Sequence, residues 1–105
     1  MNQSLIANRI ELMGVDAYRA MFDSYQSEIE RKMAEIKNAP TRRTALHSLK
    51  SMSYAVGLEE LGNKVADIER MLANGAQITL QYQLDGLVKQ VAGEVAEVKN
   101  FLRNI

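Results

Sequence analysis

Apolar residues recur every three or four positions along most of this 105-residue chain, and this spacing limits the folds open to it more than any other feature. Such spacing places apolar side chains on one face of an α-helix. Val, Ile and Thr form no alternating runs of the kind that indicates β-strands. The single proline, Pro40, leaves long stretches in which a helix can continue uninterrupted. The sequence therefore predicts an all-α protein.

Capping and turn residues divide this pattern into five predicted helices. The first covers roughly residues 3–13 and ends before Gly14. The second is expected to have its N-cap at Asp16 and to continue to about Asn38. The other three are expected at about residues 41–56, 58–73 and 77–103.

Four long amphipathic helices with short connections favour one arrangement. Each helix buries its apolar face against the others, and a short connection makes consecutive helices antiparallel neighbours. We therefore expect residues 1–105 to form a single domain, an antiparallel up-down four-helix bundle with an additional short N-terminal helix across one end. Gly57 is expected in the turn between the third and fourth helices, in the left-handed conformation that glycine adopts readily.

Composition argues against several classes of protein. Thirteen Lys and Arg residues balance thirteen Asp and Glu residues, so bulk charge does not favour binding to nucleic acid or to an anionic membrane. No apolar run approaches the ~20 residues that span a bilayer, and no secretory signal is recognisable. The chain has no cysteine for disulfides, thiol chemistry or metal binding. A soluble cytoplasmic protein is expected, and the starting methionine favours a free-standing one.

His47 is the only histidine, and it lies away from the apolar face of its predicted helix. At ~100° per residue, the side of the helix that it occupies also carries Arg43, Lys50, Ser51 and Tyr54. A histidine kept for packing would lie among the leucines. The simpler alternative is an ordinary solvated histidine. The neighbouring residues decide between that interpretation and a functional histidine.

Lys50 and Glu69 are both placed to act on this imidazole. Lys50 follows one helical turn later, so its ammonium can reach the space above the ring. His47 lies ten residues before Gly57 and Glu69 lies twelve after it, which puts them at nearly the same height on antiparallel helices. A carboxylate there can accept a hydrogen bond from one ring nitrogen and leave the other directed at solvent. Imidazole, carboxylate and cation together describe a nucleophile with a place for developing negative charge.

The segment HSLKSMSYAVGLEEL, residues 47–61, resembles the phosphoacceptor motif of histidine-containing phosphotransfer (HPt) domains of two-component phosphorelays. The resemblance implies that His47 accepts a phosphoryl group and that Lys50 stabilises its charge. Glu69 matches the position at which the family commonly has Glu or Gln hydrogen-bonded to the histidine, and Gly57 matches the glycine of the turn. The family fold, a four-helix bundle with an extra short helix, is the one that the apolar spacing predicts.

The resemblance implies a phosphoryl carrier rather than an enzyme with its own ATP site. Its partners would be the receiver domain of a response regulator and a hybrid histidine kinase, and Mg²⁺ would be held by the receiver. The chain itself would hold no metal and no cofactor, and a monomer is expected. Partner docking is expected around the histidine, at Arg43, Ser51, Tyr54 and Gly57.

Three residues depart from the family pattern. Leu46 is bulkier than the small residue often found before the histidine, although it is expected to face the core. Ser51 replaces the usual glycine, although serine is still small. Tyr54 stands two turns beyond His47 on the same face, where the family usually has a small residue. It either narrows or selects the docking surface, or it lies half-buried along a neighbouring helix. These departures keep one alternative open: a non-phosphorylated adaptor or inhibitor of the same fold that binds a receiver domain or a histidine kinase.

Overall fold

A computed structural model describes residues 2–75 and 80–105, and every regular element in these two ranges is an α-helix. The elements are α1 (Gln3–Met13), α2 (Val15–Lys37), α3 (Arg42–Ala55), α4 (Glu59–Ala73) and α5 (Leu80–Arg103). The prediction of an all-α protein with a short first helix is confirmed. The predicted start of the last helix, at residues 77–79, lies outside the described residues. Within the described ranges, no helix combines the length and the apolar character needed to cross a membrane.

The boundary between α1 and α2 follows from local sequence. Asn2 caps α1, because its side-chain Oδ1 accepts a hydrogen bond from the backbone N–H of Leu5 at 3.2 Å. Gly14, with a φ of 88°, then separates the two helices. Since α2 begins at Val15, the N-cap predicted at Asp16 is wrong. Asp16 lies in the first turn instead, where a negative charge interacts favourably with the helix dipole.

The turn between α3 and α4 is a Schellman motif built on Gly57. The N–H of Gly57 donates to the carbonyl of Tyr54 at 3.0 Å, and the N–H of Leu58 donates to the carbonyl of Ser53 at 2.9 Å. Gly57 has a φ of 87°, so the left-handed glycine predicted here is confirmed. The turn reverses the chain, and α4 then packs along α3.

One apolar core joins the five helices. Each helix contributes at least one fully buried side chain, such as Ile6, Phe22, Leu46, Ile68 and Leu87. α3 contacts both α2 and α4, α5 contacts α4 and α2, and α1 packs on α2. The apolar faces predicted from the sequence therefore meet in a single interior, whose burial is the main source of stability.

Several polar groups lie in this interior. The hydroxyl of Tyr18 donates to the carbonyl of Val56 at 2.7 Å, and the hydroxyls of Tyr25 and Ser53 are 3.0 Å apart. Burial raises the pKa of each of the two tyrosines to about 12. Glu94 of α5 is also buried, and burial raises the pKa of its carboxyl above the usual range. The hydroxyl contacts tie α2 to α3 on the side of α3 that faces the core.

Candidate functional site

His47 lies on the outer face of α3. Its side chain is 68% exposed, whereas the preceding residue, Leu46, is fully buried. Successive residues of a helix point about 100° apart, which is how two neighbours can face solvent and core respectively. The predicted outward position of His47 is confirmed, and its imidazole is accessible to a macromolecule.

Glu69 of α4 stands beside this imidazole. Its Oε2 is 3.5 Å from Nδ1 of His47, and its side chain is 25% exposed. The separation is slightly longer than the roughly 2.7–3.2 Å of an ordinary hydrogen bond. Because Nδ1 is the nitrogen nearer the carboxylate, Nε2 on the far side of the ring is directed away from Glu69. The two residues predicted to lie at the same height are therefore brought together.

Lys50 shares the carboxylate of Glu69 with the imidazole. Its Nζ is 3.1 Å from Oε1, the other carboxylate oxygen, and its side chain is 26% exposed. The ammonium is thus held by the acid. A partly exposed ion pair of this kind contributes about 1 kcal/mol or less, so an incoming anionic group can compete for the lysine.

Arg43 and Ser51 flank His47 one turn to either side, and both are exposed. Arg43 lines a surface depression together with Glu69 and Arg70 of α4. Cationic side chains from both helices therefore lie around the carboxylate of Glu69. Their positive charge favours the approach of an anionic group or of an acidic surface.

Tyr54 lies across α4. Its ring occupies the space above Gly62, where an added Cβ would be 2.6 Å from Cδ1 and 2.8 Å from Cζ of the tyrosine. Its hydroxyl donates to Oδ1 of Asn63 at 2.6 Å. Of the two placements that the sequence left open, the structure has the half-buried tyrosine along a neighbouring helix. Gly62 was not predicted as a site residue, although a glycine inside a helical pattern is itself a signal of close packing.

Gly57 is buried beneath α1. A Cβ at this position would be 3.4 Å from Cγ1 of Ile6 and 3.7 Å from Cγ of Arg9. Its assignment to partner docking is therefore wrong, because a partner cannot reach it. Gly57 acts on the site indirectly, through the turn that sets α4 against α3.

The chemistry that this cluster offers is nucleophilic. It combines an exposed imidazole nitrogen, a carboxylate beside the other ring nitrogen, and a cation on the same carboxylate. In residues 2–75 and 80–105, no group of three or more His, Asp or Glu side chains is arranged to hold a metal ion.

No protein-family model matches this chain, and no curated protein and no solved structure matches it either. The resemblance to HPt domains therefore depends on the motif at residues 47–61 and on the side chains that surround His47.

Proposed function

We propose that this protein is a phosphorelay intermediate in which His47 exchanges a phosphoryl group with the aspartate of receiver domains. The observation that carries the proposal is the shared carboxylate of Glu69, 3.5 Å from Nδ1 of His47 and 3.1 Å from Nζ of Lys50. An ordinary solvated histidine needs neither neighbour. A phosphoryl acceptor uses both, one to orient the ring and one to neutralise charge.

The fold proposed for this function is an antiparallel up-down bundle of α2 to α5, with α1 across one end. Three contacts support it, since each joins the early part of one helix to the late part of another. Tyr18 of α2 bonds the carbonyl of Val56 after α3, and Arg19 of α2 bonds the carbonyl of Leu102 in α5 at 2.7 Å. The contact between α3 and α4 at His47 follows the same pattern.

Phosphoryl transfer requires little covalent chemistry from this chain. With the Nδ1 proton held toward Glu69, Nε2 of His47 carries the attacking lone pair. The Nε2–P bond forms as the bond between phosphorus and the receiver's aspartate oxygen breaks, and the aspartate leaves as a carboxylate. Lys50 neutralises part of the charge on the phosphoryl oxygens. Donation to a second receiver is the reverse step.

This mechanism makes the protein a phosphoryl carrier. The phosphoryl donor belongs to the partner, and Mg²⁺ is expected in the acidic pocket of the receiver domain. An exposed nucleophile suits such a division, because the other half of the reaction centre arrives on another protein. Docking is proposed over the outer face of α3, where Arg43 and Ser51 are exposed. Tyr54 lies at the edge of this face, against α4.

Incubation of the purified protein with phosphorylated receiver domains tests the proposal. We expect acid-labile, base-stable phosphate on residue 47 of the wild type and none on His47→Gln. Thermal unfolding of the variant is the control for its folding. Receivers that bind the wild type without transferring phosphate, together with full activity of His47→Gln in cells, would instead support the non-phosphorylated adaptor.

A further inference from the structure

We propose that Tyr54 is a positioning residue: by lying on Gly62, it fixes the register of α3 against α4 and holds Glu69 beside the imidazole of His47. Its effect on the orientation of the ring follows from contacts within the chain. Its effect on phosphoryl transfer rests on the proposed function.

The two contacts share one register of the helix pair. Tyr54 lies seven residues after His47 on α3, and Gly62 lies seven residues before Glu69 on α4. Seven residues are about two turns, or ~10.5 Å along each helix. On helices that run in opposite directions, the pair Tyr54–Gly62 and the pair His47–Glu69 are therefore aligned. A slide of one helix along the other changes both contacts together.

Gly62 is what admits the tyrosine ring. This glycine is buried inside α4, where glycine costs about 1 kcal/mol relative to alanine in helix propensity. Any side chain there would overlap the ring, as the Cβ distances of 2.6 and 2.8 Å demonstrate. The hydrogen bond of Tyr54 to Asn63 adds a second constraint, so the ring is held both by shape and by direction.

The contact between His47 and Glu69 is sensitive to this register. At 3.5 Å, Nδ1 and Oε2 are only a few tenths of an ångström beyond ordinary hydrogen-bond length. A slight approach of the two atoms forms the hydrogen bond, and a slight retreat prevents it. Because packed helices transmit displacement rather than absorb it, a shift at Tyr54 is felt two turns away.

The tautomer of His47, read by nitrogen NMR on the full-length unphosphorylated protein, tests the inference. We compare Tyr54→Ala, Gly62→Ala and the double variant. Each single substitution is expected to shift the tautomer ratio away from the Nδ1–H form by up to about fivefold, the factor that one ordinary hydrogen bond contributes. The double variant is expected to shift it no further than the larger single one, since both changes remove the same contact.

Two controls distinguish positioning from general disturbance. Tyr82 is 78% exposed, and a Cβ added to Gly86 would meet nothing within 4 Å, so Tyr82→Ala and Gly86→Ala are expected to leave the ratio unchanged. Tyr54→Phe keeps the ring but loses the bond to Asn63, and we expect an intermediate shift. If Tyr54→Ala fails to fold, Tyr54→Phe and Gly62→Ala decide the matter.

A wild-type tautomer ratio in Tyr54→Ala and Gly62→Ala, or equal shifts in the controls, would overturn the inference. Additive effects in the double variant would do so as well, because they would mean that the two residues act separately. None of these readings requires phosphate. A protein that takes no phosphoryl group on His47 contradicts the proposed function and leaves the tautomer result to stand by itself.

Discussion

The two faces of α3 carry polar groups of different kinds. Toward the core, the hydroxyls of Tyr25 and Ser53 are 3.0 Å apart, and Ser53 is fully buried. Toward the outside, His47 is 68% exposed and shares the carboxylate of Glu69 with Lys50. Buried polar groups are costly unless they are paired, so the inner pair contributes to the fold. The outer cluster stays open to solvent.

On the proposed function, stability and reactivity are separated within a single helix. Substitutions on the inner face should change the free energy of unfolding, and substitutions on the outer face should change phosphoryl transfer. Leu46 and His47 are adjacent in sequence, but one faces the core and the other faces solvent, so substituting each in turn tests this distinction most sharply.

Leu46→Ala is expected to lower the free energy of unfolding by about 2–5 kcal/mol, because it removes a fully buried side chain and leaves a cavity. His47→Gln is expected to change it by about 0.5 kcal/mol or less, as is usual for exposed positions. Urea unfolding measures both. A loss of several kcal/mol in His47→Gln would show that the histidine serves the fold.

High pH should destabilise the protein through the inner face. Burial raises the pKa of Tyr18 and of Tyr25 from 10.0 to about 12 in the folded state. Both hydroxyls therefore support folding below pH 10, and this contribution is lost as the pH rises toward 12. Each tyrosine accounts for a slope of about 1.4 kcal/mol per pH unit in that window.

The double variant Tyr18→Phe/Tyr25→Phe should lose this slope while being less stable at neutral pH, because it leaves the carbonyl of Val56 and the hydroxyl of Ser53 without these partners. Urea unfolding between pH 9 and pH 12, a window set by the two pKa values, follows both proteins. An unchanged slope in the double variant would mean that ionisation of Tyr18 and Tyr25 does not cause the loss of stability at high pH.

Lys50→Met tests the outer face. We expect phosphoryl transfer to slow about tenfold, because one cation is removed from the developing charge at a site that water still reaches. Stability should change by less than about 1 kcal/mol, since the ion pair with Glu69 is partly exposed. Single-turnover transfer from a phosphorylated receiver gives the rate, and Lys89→Met, at an exposed position of α5, is the matched control. Equal rates in the two variants would remove Lys50 from the mechanism.

The helices could be predicted from the sequence because each buries one stripe of apolar side chains. The burial of Glu94 could not be predicted in this way. Glu94 lies three residues after Val91 and four before Val98, on the buried stripe of α5. Because Glu94 is charged, the spacing of apolar residues does not indicate that it is buried. The start of α2 could not be predicted from N-cap preferences, because Gly14 ends one helix and caps the next without a side chain.

The pairing of His47 with Glu69 could be predicted because both positions are counted from one turn, at Gly57. The pairing of Lys50 with the same carboxylate could not, because a long side chain has many rotamers and the sequence does not choose among them. The direction of Tyr54 was also undetermined. It depends on the space above Gly62, which exists only once α3 and α4 are packed.

The most direct measurement is a phosphorus–nitrogen NMR correlation on the phosphorylated protein, which identifies the atom that carries the phosphoryl group. With Glu69 beside Nδ1, we predict that phosphorus is bonded to Nε2 of His47. A bond to Nδ1 would contradict the orientation of the imidazole by Glu69, and phosphate on any other residue would contradict His47 as the acceptor.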